Sequence, residues 1–583
     1  MSERPHRIDI SNTARESRAA VTRCVQELTW TEETRKLDPN AELVWIDRAL
    51  PVKKFYLQRL GANRRTYQRA NRFFGMDSVV TKCSLAQSMD SLQALQSLSD
   101  RPTQEKVEQQ VIKMNGSSHT AEQYLPRSWC LPQDIDSFEN TTTSSSSSSS
   151  SSSATCWYIA KPDRGRCGRG IALFSDRAKV MSAFLAGDLS EVGDEGEQQK
   201  KQKKQMKETQ LPIMPLPVVV QEYIPDPLLY RDTGCKFDLR VYVIIKSLSP
   251  LDVYVFDEAL VRVASTPYEA PTEMNCATAT MHLTNSHINS TVQGDDGSGR
   301  GDLNKKEKKE GVEKAAAAAA PVLKHCMTDT LEWISKKYNV PADEIWTRVK
   351  HAVATSVVAV YPLAAVTHAT CFAPNSEEHF NRCFQLLGID ILLDSKLQPW
   401  ILEINNSPSL NLSTEADIAI KVPLVKSMLE EVFDRRREDE EESKKEEESK
   451  EEEEAESKKE EAEENKESKK EKSVIPRFQK LDVTTTVTCK CEGKEEEMPA
   501  VLLQSSILNV FLKICGWKES SCRPVKSAMP SKDVCSKLMK NGISLPSRQE
   551  LSLNRFTRWV AERAAGESSS IMIVLESIEE ALL

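Results

Sequence analysis

Residues 383–410, CFQLLGIDILLDSKLQPWILEINNSPSL, hold two apolar alternating runs, Leu387 to Leu393 and Trp400 to Asn405, on either side of a polar hexapeptide that contains Pro399. That pattern signals a β-hairpin. With Leu393 facing Trp400, Asp390 falls opposite Glu403 with Cβ atoms about 5 Å apart on one face. Asn405, two residues on, joins that face. Two carboxylates facing each other among apolar residues repel and lose solvation, so they need a cation. An all-oxygen set suits Mg²⁺ carrying nucleotide phosphates. The inference depends on register, because a slip of one residue sends the acids to opposite faces and leaves a solvated hairpin.

A second pattern lies upstream, in CKFDLRVYVIIKSLSPLDVYVFDEALVRVAS at 235–265. Alternation puts Phe237, Leu239, Val241 and Val243 on one face and Lys236, Asp238, Arg240 and Tyr242 on the other, as in a half-buried strand. Ser247 to Pro250 makes a turn, and the next strand carries Glu258 and Arg262 with the same parity, so the charged face is expected to continue across a hairpin as a polyphosphate cradle. A third segment, CWYIAKPDRGRCGRGIALFSD at 156–176, runs from a short strand ending in Lys161 through a loop with Gly165, Gly168 and Gly170 into a strand beginning at Ile171. Glycines let backbone amides approach a phosphate, and the lysine adds a point charge. The spacing fits neither a Walker loop nor a dinucleotide fingerprint, because strand rather than helix follows Gly170. In VVVQEYIPDPLL, at 218–229, a buried strand runs into Gln221, Glu222, Tyr223 and Ile224, whose exposed backbone is expected to meet a purine edge or, alternatively, to form an interstrand hinge.

Together with PRSWCLP at 126–132 and HLTNSHIN at 282–289, these strings make the chain resemble the tubulin tyrosine ligase-like enzymes of the ATP-grasp superfamily, over roughly residues 40 to 430. The resemblance implies an α/β fold: an ATP-grasp-type ligase core of mixed and antiparallel sheets interrupted by low-complexity insertions. It implies that Lys161 and Lys236 contact ATP phosphates beside Gly168 and Gly170, that Gln221 to Ile224 line the adenine pocket, and that Lys82, in GMDSVVTKCSL, is a further nucleotide-contacting lysine. Asp238, Arg240, Arg262, Thr284 and Asn285 fall where the family handles ATP and the incoming amino acid. Asp390, Glu403 and Asn405 match its Mg²⁺ ligands. The family chemistry then makes an acyl phosphate on an acceptor carboxylate, which the amine of a free amino acid attacks to give an amide. Alignment and charge neutralisation carry such a reaction, so no nucleophilic triad is expected. HLTN followed by Ser and later Asn resembles the glutamate-adding branch, with glycine or tyrosine as alternative donors. An inactive microtubule-binding relative is the rival from another class.

Composition bounds the rest. The chain has 583 residues, 28% charged, with net charge −9 and 15 scattered cysteines that are expected to be reduced in a cytosolic setting. Cys489 and Cys491 form an isolated C-x-C without the second pair a zinc site needs. The apolar stretch Ala352 to Ala373 contains Thr355, Ser356, Pro362, Thr367 and His368, so a core helix ending near the proline is expected, not a membrane span. The expected organisation is an N-terminal extension at 1–37, ligase subdomains at 38–80, 81–224 and 225–435, a Glu/Lys-rich linker at 436–472, and a separate small α+β or helical domain at 473–583. In that domain helical patterns run from Leu502 to Ile514 and Leu553 to Ala565, with a strand at Ile571 to Leu575. A Ser run at 144–153, a Gln/Lys-rich segment at 188–210 and a Gly/Lys/Ala-rich segment at 290–320 read as mobile insertions. The expected partners are acidic tubulin tails, steered by Lys53, Lys54, Arg59, Arg64, Arg65, Arg69, Arg72 and Arg435 to Arg437, and free glutamate. Neither nucleic acid nor membrane insertion is expected. The expected location is the cytoplasmic cytoskeleton, with cilium, flagellum or basal body as specialised sites.

Overall fold

The computed structural model describes residues 6–33, 41–47, 69–96, 124–140, 156–165, 167–186, 217–290, 323–369, 382–433 and 477–481, with stretches of 486–578. The Ser run, the Gln/Lys-rich segment, the Gly/Lys/Ala-rich segment beyond residue 290 and the Glu/Lys linker lie outside the described residues. So do Lys53, Lys54, Arg59, Arg64, Arg65 and Arg435 to Arg437.

Three sheets carry the fold, which is mixed α/β with several antiparallel sheets. The first is parallel, in the order β2-β1-β3-β4, built from β1 (Arg7–Asn12), β2 (Thr31–Glu33), β3 (Leu43–Ile46) and β4 (Arg69–Ala70). Helix α1 (Arg15–Glu27) makes the crossover that two parallel strands require. The stretch 1–37, expected as an extension, therefore supplies an inner strand of this sheet. Arg69, expected on a docking patch, donates instead to the Val432 carbonyl.

The second sheet is antiparallel, in the order β5-β8-β6-β7, from β5 (Ser128–Leu131), β6 (Tyr158–Pro162), β7 (Ala172–Phe174) and β8 (Val218–Glu222). Trp129, Phe138, Tyr158, Val180 and Phe184 form its own core.

The third sheet follows the path β12-β11-β10-β13-β14. Its strands are β9 (Leu229–Tyr230), β10 (Cys235–Leu248), β11 (Leu251–Pro267), β12 (Lys324–Cys326), β13 (Gln385–Leu393), β14 (Pro399–Asn405) and β15 (Phe478–Lys480). The alternation of β10 sends Phe237, Leu239, Val241 and Val243 into a core shared with α2 (Lys82–Gln96), α3 (Met327–Tyr338) and α4 (Ala342–Ala369). On its other face Tyr242 and Ile244 pack with α1 and α5 (Glu415–Phe433). The strand is thus buried on both faces, not half-buried. Lys236, Asp238 and Arg240 occupy one end of the strand, and Lys246, near the other, pairs with Glu431 of α5 at 2.6 Å.

Helix α4 does not stop at Pro362 but continues through it. A proline forfeits one backbone hydrogen bond. Burial of Val357, Val358, Leu363 and Ala364 in the core supplies a larger opposing term. The polar residues that argued for an early end turn their hydroxyls onto the helix's own carbonyls: Thr355 donates to His351, Ser356 to Val353 and Thr367 to Leu363, at 2.9, 2.8 and 2.6 Å. The helix is long and apolar enough to cross a membrane, and 83% of its apolar window is buried inside the fold.

The described residues beyond the linker pack against the rest of the fold. Strand β15 pairs with β11, and the Leu481 N–H donates to the Val253 carbonyl at 2.9 Å. Ile507, Val510, Phe511, Leu538, Phe556 and Val560 belong to the same buried cluster as α4, and Arg558 pairs with Asp90 of α2 at 2.7 Å. Val574 and Leu575, expected in a strand, are helical and buried. A run of apolar residues that short does not distinguish strand from buried helix.

Candidate active site

The polar side chains of the second and third sheets converge. The β13–β14 hairpin brings Asp390 opposite Glu403, but by a different register from the simple one. Leu393 faces Pro399 and Leu392 faces Trp400, because the loop is one residue tighter than a hexapeptide. Asp394 closes it: its N–H donates to the Gln398 carbonyl at 3.1 Å, while its carboxylate accepts from the N–H groups of Lys396 and Gln398 and the indole of Trp400. Leu402 is then an extra residue between the Ile391–Ile401 and Asp390–Glu403 pairs, and this β-bulge restores the facing acids. Asn405 lies opposite Gly388 and donates to Glu403 at 3.3 Å.

The two acids are not left facing each other unpaired. Arg240, opposite Asp390 across the β10–β13 ladder, grips it with Nε and, at 3.0 Å, with Nη2, and Arg262 reaches the same carboxylate at 2.7 Å. Burial favours the neutral acid, yet the two guanidiniums outweigh it and hold Asp390 well below the usual carboxylate range. Gly388 makes room for this grip: a Cβ there would lie 2.8 Å from Arg240 Cδ and 2.9 Å from Pro408 Cβ. Arg262 also holds Asp238 bidentately, at 2.7 and 2.6 Å, and Thr284 donates to that carboxylate. Burial, with Asp390 acting in the same direction, pushes Asp238 up.

Glu258 leaves the charged row. A register shift between Val241 and Val243 turns it toward the N-terminus of α3, where it accepts from the Met327 N–H at 2.7 Å, the Thr328 N–H at 3.2 Å and the Thr328 hydroxyl at 2.7 Å. It acts as a helix cap. The expected cradle is shorter by one acid.

Lys161 and Lys236 differ from the arginines. Both are more than nine-tenths buried. Lys161 donates to the Gln221 side-chain oxygen at 2.7 Å, and Gln221 is oriented by its own donation to Ser128 at 2.8 Å. Lys236 donates to the Tyr223 hydroxyl at 3.1 Å and lies 4.5 Å from that ring's centroid. Neither has a carboxylate in direct contact among the described residues. Burial pushes Lys161 down to about 8, with Glu403 opposing and Lys82 adding to the effect, and pushes Lys236 down to about 7, with Lys161 adding. Lys82 completes the set. It donates to the Gly165 carbonyl at 3.0 Å and lies 3.4 Å from Glu403, tying the glycine loop to the hairpin. Asp163 fixes the start of α2 by accepting from the Cys83 N–H at 2.8 Å.

Gly168 has φ +74°, and a Cβ there would lie 2.4 Å from Ile288 Cδ1 and 3.1 Å from Asn285 Oδ1. The loop therefore sits against the turn that carries Asn285. Gly170 also takes a positive φ. The backbone of the 221–224 stretch is less open than expected: the Glu222 and Tyr223 N–H groups donate to the Arg127 and Trp157 carbonyls. Ile224 is the first residue past these bonds. Sequence reasoning missed Ser128, the Tyr223 side chain and His282, although His282 opens the HLTNSHIN string.

Two lysines paired only with neutral oxygens fit a polyanion that would bring the missing negative charge. Asp390, Glu403 and Asn405 are hard oxygen donors, which fits Mg²⁺. Glu403 and Asn405 are the more accessible of the three. Among the described residues no group of three His, Cys, Asp or Glu side chains stands as a metal cluster.

Fold and site thus define a mixed α/β protein with a lysine-rich polar cluster between two sheets. The chain belongs to the tubulin-tyrosine ligase family, whose profile matches residues 63–340 and 314–441, more than half of its length. It is similar to the tubulin polyglutamylase TTLL13 of Homo sapiens, 27% identical over 388 residues, which cover 67% of this chain and 36% of the relative. It is also similar to the tubulin polyglutamylases TTLL6 and TTLL7 of Mus musculus, 26% and 25% identical over 66% of this chain and 36% and 33% of theirs. The chain spans about a third of the length of these curated relatives.

Proposed function

We propose that this chain is an ATP-grasp-type ligase that uses ATP and Mg²⁺ to join glutamate to glutamate side chains in the acidic tails of tubulin. The observation that carries the reading is the buried pair Lys161 and Lys236, basic groups with neutral partners beside an oxygen-rich hairpin. The names of similar relatives, tubulin polyglutamylases, support the substrate class. So does HLTNSHIN, which resembles the glutamate-adding branch.

In this reading Lys82, Lys161 and Lys236 align and neutralise the triphosphate, and Glu403 and Asn405, with Asp390, hold Mg²⁺. The metal would supply charge neutralisation on the phosphates. An acceptor carboxylate oxygen bonds to the γ-phosphorus as ADP leaves, giving an acyl phosphate. The amine of free glutamate then bonds to the acyl carbon as phosphate leaves and the nitrogen loses a proton. The same reading assigns Arg240, Arg262 and Asn285 to countering the negative charge that develops on the reacting groups. Tubulin places the protein on the cytoskeleton in this reading.

The test is purified protein with ATP, Mg²⁺, tubulin and each labelled amino acid in turn. Glutamate incorporation is expected. Incorporation of glycine or tyrosine instead would revise the donor, and no incorporation with intact microtubule binding would make the chain an inactive relative.

A further inference from the structure

His282 is buried beside Tyr223 and Lys236, yet the proposed reaction gives it no part. Its ring nitrogens have distinct partners. Nε2 lies 3.2 Å from the Asn275 carbonyl, and Nδ1 lies 3.0 Å from the Tyr223 hydroxyl. A carbonyl only accepts, so Nε2 carries the hydrogen. Burial, with Lys236 adding, pushes the imidazole down to about 4, so it is neutral and Nδ1 is left as an acceptor. The Tyr223 O–H then donates to Nδ1, which turns an oxygen lone pair toward Lys236 at 3.1 Å; the Tyr268 hydroxyl, which also interacts with that of Tyr223, has its own hydrogen on the Pro225 carbonyl.

We propose that His282 and Tyr223 are positioning residues that act in series on Lys236: Asn275 fixes the imidazole tautomer, the imidazole fixes the Tyr223 hydroxyl, and the hydroxyl holds the ammonium where it meets a nucleotide phosphate. The chain of bonds runs in one direction, from Lys236 to Tyr223 to His282 to the Asn275 carbonyl. A hydroxyl free to rotate could aim its hydrogen at Lys236 and push the ammonium away. The imidazole removes that choice. Tyr268 walls the assembly, with its ring 5.9 Å from that of His282 and its hydroxyl donating to the Pro225 carbonyl. The inference rests on the proposed nucleotide site.

Calorimetric titration of the full chain with MgATP tests it. Tyr223→Phe is expected to weaken binding about tenfold, the order expected of one hydrogen bond to a charged group. His282→Leu should weaken it by a similar or smaller factor, and the double variant should be no weaker than Tyr223→Phe alone. His282→Asn, whose Oδ1 falls near the place of Nδ1, should restore affinity to within about threefold. In a Lys236→Met background none of these changes should alter affinity further. Multiplying losses, or losses that persist without the lysine, would overturn the series arrangement and leave His282 as packing. If His282→Leu does not fold, His282→Asn, Tyr223→Phe and the Lys236→Met pair decide the matter. Failure of the wild-type chain to bind MgATP would instead remove the nucleotide site itself.

Discussion

The polar cluster between the second and third sheets has two halves that balance charge differently. In one, Asp238 and Asp390 interlock with Arg240 and Arg262, two carboxylates against two guanidiniums. In the other, Lys82, Lys161 and Lys236 have one carboxylate among them, Glu403. Strand β10 contributes to both, Lys236 to the open half and Asp238 and Arg240 to the closed one. A buried quartet that neutralises itself has much to lose if broken. A buried lysine pair with amide and phenol partners has the opposite character: it costs stability alone and is relieved by an anion.

The sharpest way to break the comparison lies at Glu403. Glu403→Gln keeps the volume and loses the one negative charge of the open half. Ligation is expected to fall by about a thousandfold or more, roughly 4 kcal/mol on the barrier, with the thermal transition unchanged. Incorporation of labelled glutamate near the wild-type rate would take Glu403 out of the site. In the closed half the signs reverse. Asp238→Ala strips Arg262 of its bidentate partner, and the chain without nucleotide should lose about 3–5 kcal/mol in urea denaturation. An unchanged midpoint would mean that the quartet does not hold the sheet.

How far the candidate site can be read from the chain follows from the same division. Alternation in 235–265 and 383–410 suffices to align Lys236, Asp238, Asp390, Glu403 and Asn405, since period two is a local property of a strand. Even the wrong facing residue for Leu393 leaves Asp390 opposite Glu403, because a tighter loop and a bulge at Leu402 cancel. What the arginines do is not local. Arg240 and Asp390 are 150 residues apart in sequence, and nothing in either strand alone says that the two will pair. Glu258 shows the converse: its parity is right, but the register shift near Val243 hands it to α3. Composition does not reveal the contacts made beyond the Glu/Lys linker. A long polar tract normally separates domains, yet β15 extends the large sheet and Phe511 and Phe556 lie in the same buried cluster as α4.

A smaller effect sharpens the contrast between the halves. Lys161→Met retains the aliphatic stem and deletes the desolvated ammonium. MgATP affinity should fall roughly 10- to 100-fold, as for a lost charge-assisted bond of about 1.5–3 kcal/mol. Without nucleotide, stability should hold or rise, the reverse of Asp238→Ala. A destabilised Lys161→Met chain in urea would show that this lysine is structural.

The smallest effect is a proton count. Lys161 at about 8 and Lys236 at about 7 sit below the ordinary lysine value of 10.5. Between those values the unfolded chain binds more protons than the folded one, so the contribution of this pair to stability rises as pH increases from about 7 to about 10. An arriving triphosphate favours the charged ammonium and raises both lysines. Binding at pH 8 should therefore take up about one proton, and binding at pH 6, where both are already charged, should take up almost none from this source. Titrations in buffers of different ionisation enthalpy measure the uptake directly. Lys236→Met should reduce it at pH 8, whereas Arg240→Lys in the closed half should leave it in place. Zero uptake at pH 8 in the wild-type chain would mean that the lysines are fully charged before any nucleotide arrives, and the open half would then need a counter-ion of its own.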